Sequence, residues 1–453
     1  MPSRTPPVSL TGRTPFSWRV PALISLAVFA QESTWNFYDA QVPPLLRNHV
    51  SSAALIGLLM GLDNVLGIFV QPWMGSRSDR TRTRWGRRIP YIVAGTPVAA
   101  VLFMALPFTT SFPALLAVMF LYALVANSYK PVAEALMPDF VAAEHRSKAN
   151  ALTRIAASLT IVVSSLVSVL LVDHDLKLAF AVPALLMIAA VGVLVLTVKE
   201  QRAPAYQEAV ADAAAPSGPA SARLRDVLGE LLRDRDRGRV WMLTVVFLVA
   251  GAWAASRALM TPYGTEVLGL TKGRAGGLGL PGGLAFIIAA FPVALLAGRV
   301  GRLRLIRWGL VLFIAAMVLG VLVRTPLGTS AAVVLGAVGY AAFSVNAVVV
   351  LWDLAPSRRF LGTYTALYGV GNATGSALGP ALVGSLVDLT GWTYLLLDVA
   401  LVAALALFAL TRISRITPVG RTGGEDACPD AADVPASSPP PSSTPPPSST
   451  ESH

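Results

Sequence analysis

Apolar runs of about twenty residues follow one another along almost the whole chain, and no other feature constrains the fold as strongly. At ~1.5 Å per helical residue, twenty residues cross the ~30 Å hydrocarbon layer of a bilayer. Lipid offers no partner to a free backbone N–H or C=O, so each run must close its hydrogen bonds within itself as a helix. The runs fall at about 20–46, 53–76, 89–107, 113–138, 148–172, 178–198, 240–262, 275–298, 305–323, 329–354, 361–387 and 391–412. Only 13% of the 453 residues are charged, against roughly 25% in a soluble domain. The chain therefore lacks the polar surface that two or three soluble domains would need.

Two longer breaks divide the chain. Residues 1–19 are an N-terminal segment, 20–198 a first six-helix bundle, 199–239 a linker, 240–412 a second bundle, and 413–453 a tail. The Pro/Ser-rich end of that tail cannot bury a core and is predicted to be disordered. The first apolar run is too long for a cleavable signal peptide and reads as the first span. The single cysteine, Cys428, excludes an intrachain disulfide framework and a cysteine metal site. With four His in all and no phosphate-gripping glycine loop or nucleophile motif, a membrane enzyme is disfavoured.

The net charge of +11 invites a nucleic-acid reading, but its placement argues against one. With the N-terminus inside, cytoplasmic segments hold 28 Lys/Arg, outer loops 5, and the spans 3 (Lys130, Arg154 and Arg257). That asymmetry predicts twelve spans with both termini cytoplasmic, and a plasma membrane is the expected location. A shift of roughly 219 residues lays the first bundle loosely on the second.

The break after the second span reads Gln71-Pro72-Trp73-Met74-Gly75-Ser76-Arg77-Ser78-Asp79-Arg80, then Thr81 to Trp85, then Gly86-Arg87-Arg88-Ile89-Pro90-Tyr91. Gly75 permits close helix approach and Gly86 a turn with positive φ. Asp79 can pair with an Arg or a helix N-terminus as an ionic latch; the plain alternative is orientation by charge alone. The segment resembles the Gly-x-x-x-Asp-Arg-x-Gly-Arg-Arg signature of the major facilitator superfamily, with four extra residues before Gly86. The longer form is similar to the sucrose–proton symporters and to the glycoside–pentoside–hexuronide:cation symporters. Asn127-Ser128-Tyr129-Lys130-Pro131 and Ala135-Leu136-Met137-Pro138-Asp139 are similar to spans 4 and 5 of the same carriers. Where sucrose carriers place an Arg before Ala-Leu, this chain has Glu134, so the resemblance implies the branch rather than one sugar.

The resemblance implies an all-α, twelve-helix major facilitator fold of two pseudo-symmetric six-helix bundles, with substrate bound between them. It implies a monomeric secondary transporter with a small sugar or glycoside as substrate. No cofactor is expected beyond the proton gradient, with Na⁺ as a substitute. A proton-driven efflux antiporter for drugs or metabolites is the alternative, as is a non-transporting sensor with a folded tail.

An ionisable group inside a span costs at least ~2.5–3.5 kcal/mol, so each is a functional candidate. Counted at ~1.5 Å per residue, Glu32, Asp63 and Lys130 all lie near mid-membrane on spans 1, 2 and 4. They are read as a cluster of two carboxylates and one ammonium suited to proton coupling, or as a static ion pair. Asp63 is the first candidate proton site, with Asn64 beside it. Glu32, Asn36 and Asp39 share a helical face, interleaved with Trp35 and Tyr38; such a face grips sugars or lines a watery cavity. Asn64 and Asn127 join that substrate set. Arg257 either reaches the cavity, and Asp39, or snorkels to the surface. Glu134 and Arg154 lie at matching depth and are read as a structural or gating pair. The second-half loop Gly298–Arg304 lacks an acidic partner of its own, Asp353 and Asp388 read as solvated, and Asp398 has no reading. Gly371, Gly375, Gly379 and Gly384 in span 11 are read as close helix packing.

Overall fold

The structure, a computed structural model, describes residues 18–141, 146–202, 237–354 and 361–416. The first half carries α1 (Arg19–Arg47), α2 (Ala53–Arg80), α3 (Ile89–Ala105), α4 (Phe112–Glu134) with its short continuation α5 (Leu136–Phe140), α6 (Arg146–Val167) and α7 (Leu176–Thr197). The second half carries α8 (Gly238–Ala258) and α9 (Met260–Glu266), then α10 (Lys272–Gly276) and α11 (Leu280–Val300). It ends with α12 (Arg302–Leu322), α13 (Pro326–Asp353), α14 (Leu361–Thr390) and α15 (Leu395–Ile416). These make twelve helical passes among the described residues, and nine are long and apolar enough by themselves to cross a membrane. The other three, α1, α6 and α14, carry more of the polar residues.

Local chemistry sets the ends. Ser52 accepts the Leu55 amide at the start of α2, Asp175 the Lys177 and Leu178 amides at α7, and Thr325 the Gly328 amide at α13. Proline opens α3, α4, α11 and α13, where a missing N–H costs nothing. The seventh pass breaks between α8 and α9 at Leu259, three residues before Pro262, whose ring cannot continue the ladder. Phe69, Leu196, Ile288, Phe291, Leu327 and Leu389 stand exposed on the outside, as a lipid-facing surface requires.

Within the first half α1 packs on α6 and α7, α2 on α4, and α3 on α4 and α7. Phe37, Phe103 and Phe180 close its core, with ring centres 5.0 Å apart for Phe37–Phe180 and for Phe103–Phe180. In the second half α8 packs on α14 and α15, and α13 on α11 and α12. The halves meet chiefly through α2 on α14 and α6 on α11, the same pairing with the halves exchanged.

The arginine loop is tied down within its own half. Arg87 donates to Asp139 at 2.6 Å, Arg88 grips the same carboxylate, and Arg88 also pairs with Asp79 at 3.1 Å. Glu200 accepts from the amides of Arg87, Arg88 and Ile89, capping α3. Gly86 has φ 112°, as the turn reading requires, and a Cβ there would strike the Glu200 carboxylate. Gly75 departs from expectation: no neighbour lies within 4 Å of a Cβ built there, because at this end α2 faces open space. Arg80 is exposed in the last turn of α2.

The second-half loop also departs from expectation. Its acidic partner comes from α13, where Asp353 meets Arg302 at 2.9 Å rather than facing solvent alone. Asp398 is buried and accepts from Thr390 at 2.8 Å, tying α15 to α14.

Candidate functional site

A cavity opens between the halves. Its lining includes Asn36, Asp39, Ser164 and Ser165 from the first half and Trp253, Arg257, Phe286 and Tyr340 from the second. The space between these side chains, including the part continuous with solvent, is about 1060 Å³.

Two sets of polar contacts lie one helical turn apart on α1, an ion pair at Glu32 and a bridge between the halves at Asn36 and Asp39. Lys130 Nζ sits 2.7 Å from Glu32 Oε1, with both side chains about three-quarters buried. The Glu32 carbonyl accepts from Asn36 Nδ2 at 3.0 Å, and the same amide nitrogen donates to Thr160 at 2.7 Å. Asn36 Oδ1 accepts from Arg257 Nη2 at 2.8 Å, and Arg257 pairs with Asp39 at 3.3 Å. Residues 32, 36 and 39 share a face of α1, as read from their spacing, and Asn36 and Asp39 carry the crossing to the second half.

The other candidates lie elsewhere. Asp63 makes no ion pair with Lys130; its carboxylate accepts from Asn64 at 2.9 Å and its carbonyl from Asn127 at 3.1 Å. Asn127 is buried and takes a 2.7 Å bond from Gln71, so it ties α4 to α2 rather than facing the cavity. Trp35 is buried against Tyr38 and Tyr122, with Lys130 6.0 Å from its ring centre. The cavity's aromatic wall is instead Trp253 stacked on Tyr340, centres 4.2 Å apart and 3° from parallel. Glu134 is exposed one turn beyond Lys130 and acts on its charge. The Arg154 side chain lies outside the described residues.

The end of the cavity away from the arginine loop is shut by polar ties between halves. Asp388 at the end of α14 accepts from Ser52 Oγ at 2.6 Å and from the Ala53 and Ala54 amides at 2.6 and 3.1 Å, capping α2. Asp173 at the end of the fifth pass accepts from Thr271 Oγ1 at 2.6 Å and the Gly273 amide at 2.9 Å, capping the eighth. Arg47 meets Glu266 at 3.0 Å. Asp388 is exposed, as expected of a solvated residue, and it caps α2 as well. Burial raises its carboxyl pKa, but the three hydrogen bonds and Arg47 outweigh that and hold it below the usual range. One sequence signal pointed to this pair: Leu171-Val172-Asp173 recurs as Leu386-Val387-Asp388.

Twelve helical passes, two exchanged halves and a central cavity define a multi-pass membrane transporter. The model of the Major Facilitator Superfamily matches residues 24–326 and 282–440, and the chain belongs to that family. A 69-residue stretch is 39% identical to the membrane-associated transporter protein of Homo sapiens, and equally so to that of Mus musculus. This match spans 15% of the chain and 13% of the length of those relatives. Among solved structures, a bacterial homolog of the human lysosomal transporter Spinster, inward-facing and occupied, superposes with TM-score 0.69 at 15% identity, over 90% of this chain and 98% of that one. The nucleoside transporter NupG gives TM-score 0.70 at 13% identity, over 87% and 99%. The peptide transporter POT in complex with sulfate gives 0.66 at 15% identity, over 88% and 95%.

Proposed function

We propose that the chain is a proton-coupled symporter of a sugar or glycoside, working by alternating access in a plasma membrane with both termini cytoplasmic. The observation that carries this reading is that one face of α1 holds both the Lys130–Glu32 pair and, a turn further on, the Asn36–Arg257–Asp39 bridge between cavity-lining groups of the two halves. Coupling requires that proton affinity differ between the two access states. Protonating Glu32 removes the charge that holds Lys130, one helical turn from the Asn36 that holds Arg257 across the halves. Asp63, with Asn64 and Asn127 steadying it, is the second carboxylate at that depth and the first candidate for the transported proton. The sugar reading draws support from hydroxyl-binding groups at Asn36, Asp39 and Arg257 lining the same cavity as the stacked rings of Trp253 and Tyr340.

The test is uptake in proteoliposomes with a lumenal pH reporter and a disaccharide panel. Sugar gradients should acidify the lumen in the intact protein, and Asp63→Asn should abolish that while keeping sugar counterflow. A panel that moves no protons sinks the symport reading; an Asp63→Asn protein matching the parent removes Asp63 as the coupling site. A sodium gradient at clamped pH tests substitution by Na⁺. The apolar lining at Met260, Phe286 and Met317 favours a second reading, proton-driven efflux of an apolar drug or metabolite. Dye efflux driven by an opposing pH gradient, without sugar uptake, would select it.

A further inference from the structure

Among the described residues lining the cavity, the charged ones are Asp39 and Arg257, and they face each other at 3.3 Å. Asn36 Oδ1 takes a second bond from the same guanidinium nitrogen. A guanidinium carries five N–H donors, so donors remain for neutral oxygens once Asn36 and Asp39 are served. One helical turn before Arg257 on α8, Trp253 stacks on Tyr340, which is backed by Phe286 with ring centres 6.0 Å apart.

We infer, resting on the saccharide reading above, that this site selects uncharged saccharides against uronides and sugar phosphates. Asp39 keeps Arg257 neutralised, and the Trp253–Tyr340 stack carries the sugar's apolar ring face. A neutral sugar offers hydroxyl oxygens to the spare N–H groups and leaves the pair whole. An anionic sugar must either displace Asp39 from Arg257 or sit beside the Asp39 carboxylate. Like charges brought together in a partly desolvated cavity are strongly unfavourable. Removing a recognition charge without its partner reverses such a preference, because specificity is a difference of two affinities.

Calorimetric binding to the purified full chain in detergent tests this with maltose and phenyl glucoside against phenyl glucuronide and glucose 6-phosphate. The parent should bind the neutral probes at least tenfold more tightly than the anionic ones. Asp39→Asn, near-isosteric, should shift the neutral-to-anionic ratio at least tenfold toward the anions. The ratio is the readout because any loosening of the halves weakens both probes alike. Trp253→Ala should cost at least tenfold in phenyl glucoside affinity, with Trp253→Phe retaining most of it. A parent that favours the anions, or an Asp39→Asn protein with an unchanged ratio, overturns the charge rule even while sugar-driven proton uptake stands. Unchanged phenyl glucoside affinity in Trp253→Ala overturns the aromatic platform alone. No binding of any saccharide overturns this inference and the symport reading together.

Discussion

Lys130 and Glu32 show what a single pair does in a setting where each charge alone is costly. Their contact at 2.7 Å replaces the hydration that either would have in water. Removing one partner of a fully buried pair costs ~3–5 kcal/mol. Both side chains here keep about a quarter of their exposure, so Glu32→Gln should cost less than that, about 1–3 kcal/mol. The double change Glu32→Gln/Lys130→Met should recover part of the loss, since it leaves no orphan charge. Thermal unfolding of the three proteins in detergent checks this; a double variant less stable than Glu32→Gln would remove the ion pair as the cause. Asp63 differs from Glu32 in kind. Its carboxylate accepts from the Asn64 amide, while Asn127 holds only its main-chain carbonyl, so no paired cation must be released when it takes up a proton.

At the scale of helices, contact between the halves depends on missing side chains. A Cβ on Gly61 would lie 1.8 Å from the Ala377 carbonyl oxygen, and one on Gly57 2.1 Å from that of Pro380. Gly384 likewise meets the Ala53 carbonyl, while Gly375 and Gly379 of the same helix seat α14 on Phe247 and Gly251 of α8. The glycines of α14 thus serve two partners, one within its half and one across the halves, consistent with small-residue packing. Gly61→Leu should force α2 and α14 apart, at a cost of about 1–3 kcal/mol or more. Distances between spin labels placed on the outer ends of α2 and α14 should lengthen and broaden. Gly298→Leu, where nothing lies within 4 Å, should leave them unchanged. Equal behaviour of the two variants would refute the close-packing account.

For the whole molecule the notable arrangement is reciprocal. Asp173 of the first half caps a helix of the second, and Asp388 of the second caps a helix of the first. The capped sites, Ser52 and Thr271, stand 219 positions apart, the same spacing as Arg47 and Glu266. Each carboxylate contributes only while the two halves are closed at this end. Asp173→Asn with Asp388→Asn should therefore shift the population toward opening there, read as longer distances between labels on Asn48 and Leu389. The sign of the pH effect follows from the lowered pKa of Asp388. Its stabilisation is present above the ordinary carboxylate value near ~3.9 and is lost as pH falls through the lower folded value. Closure at this end should hold steady from neutral pH down to about 4, and weaken below that. Opening between pH 7 and 5 that persists in Asp388→Asn would assign the sensitivity to another group.

The periodic apolar runs and the placement of Lys and Arg were enough for the helices, their approximate ends and the two-half plan, because the bilayer leaves the backbone no other way to satisfy itself. The face shared by Glu32, Asn36 and Asp39 was legible for the same reason, since helical spacing alone puts them together. What spacing within a helix cannot reveal is which neighbour a side chain meets. Lys130 had Asp63 and Glu32 at similar depth, and only the packing of α1, α2 and α4 together gave it Glu32. Trp35 and Trp253 are alike as residues, yet tertiary packing buried the first and put the second on the cavity wall. Asp388 read as a solvated charge and Asp173 drew no reading, because the helix ends they cap are supplied by the opposite half, more than ninety positions away in the chain. Depth in the membrane is a property of one helix and follows from sequence; partnership belongs to two, and the packed halves decided it.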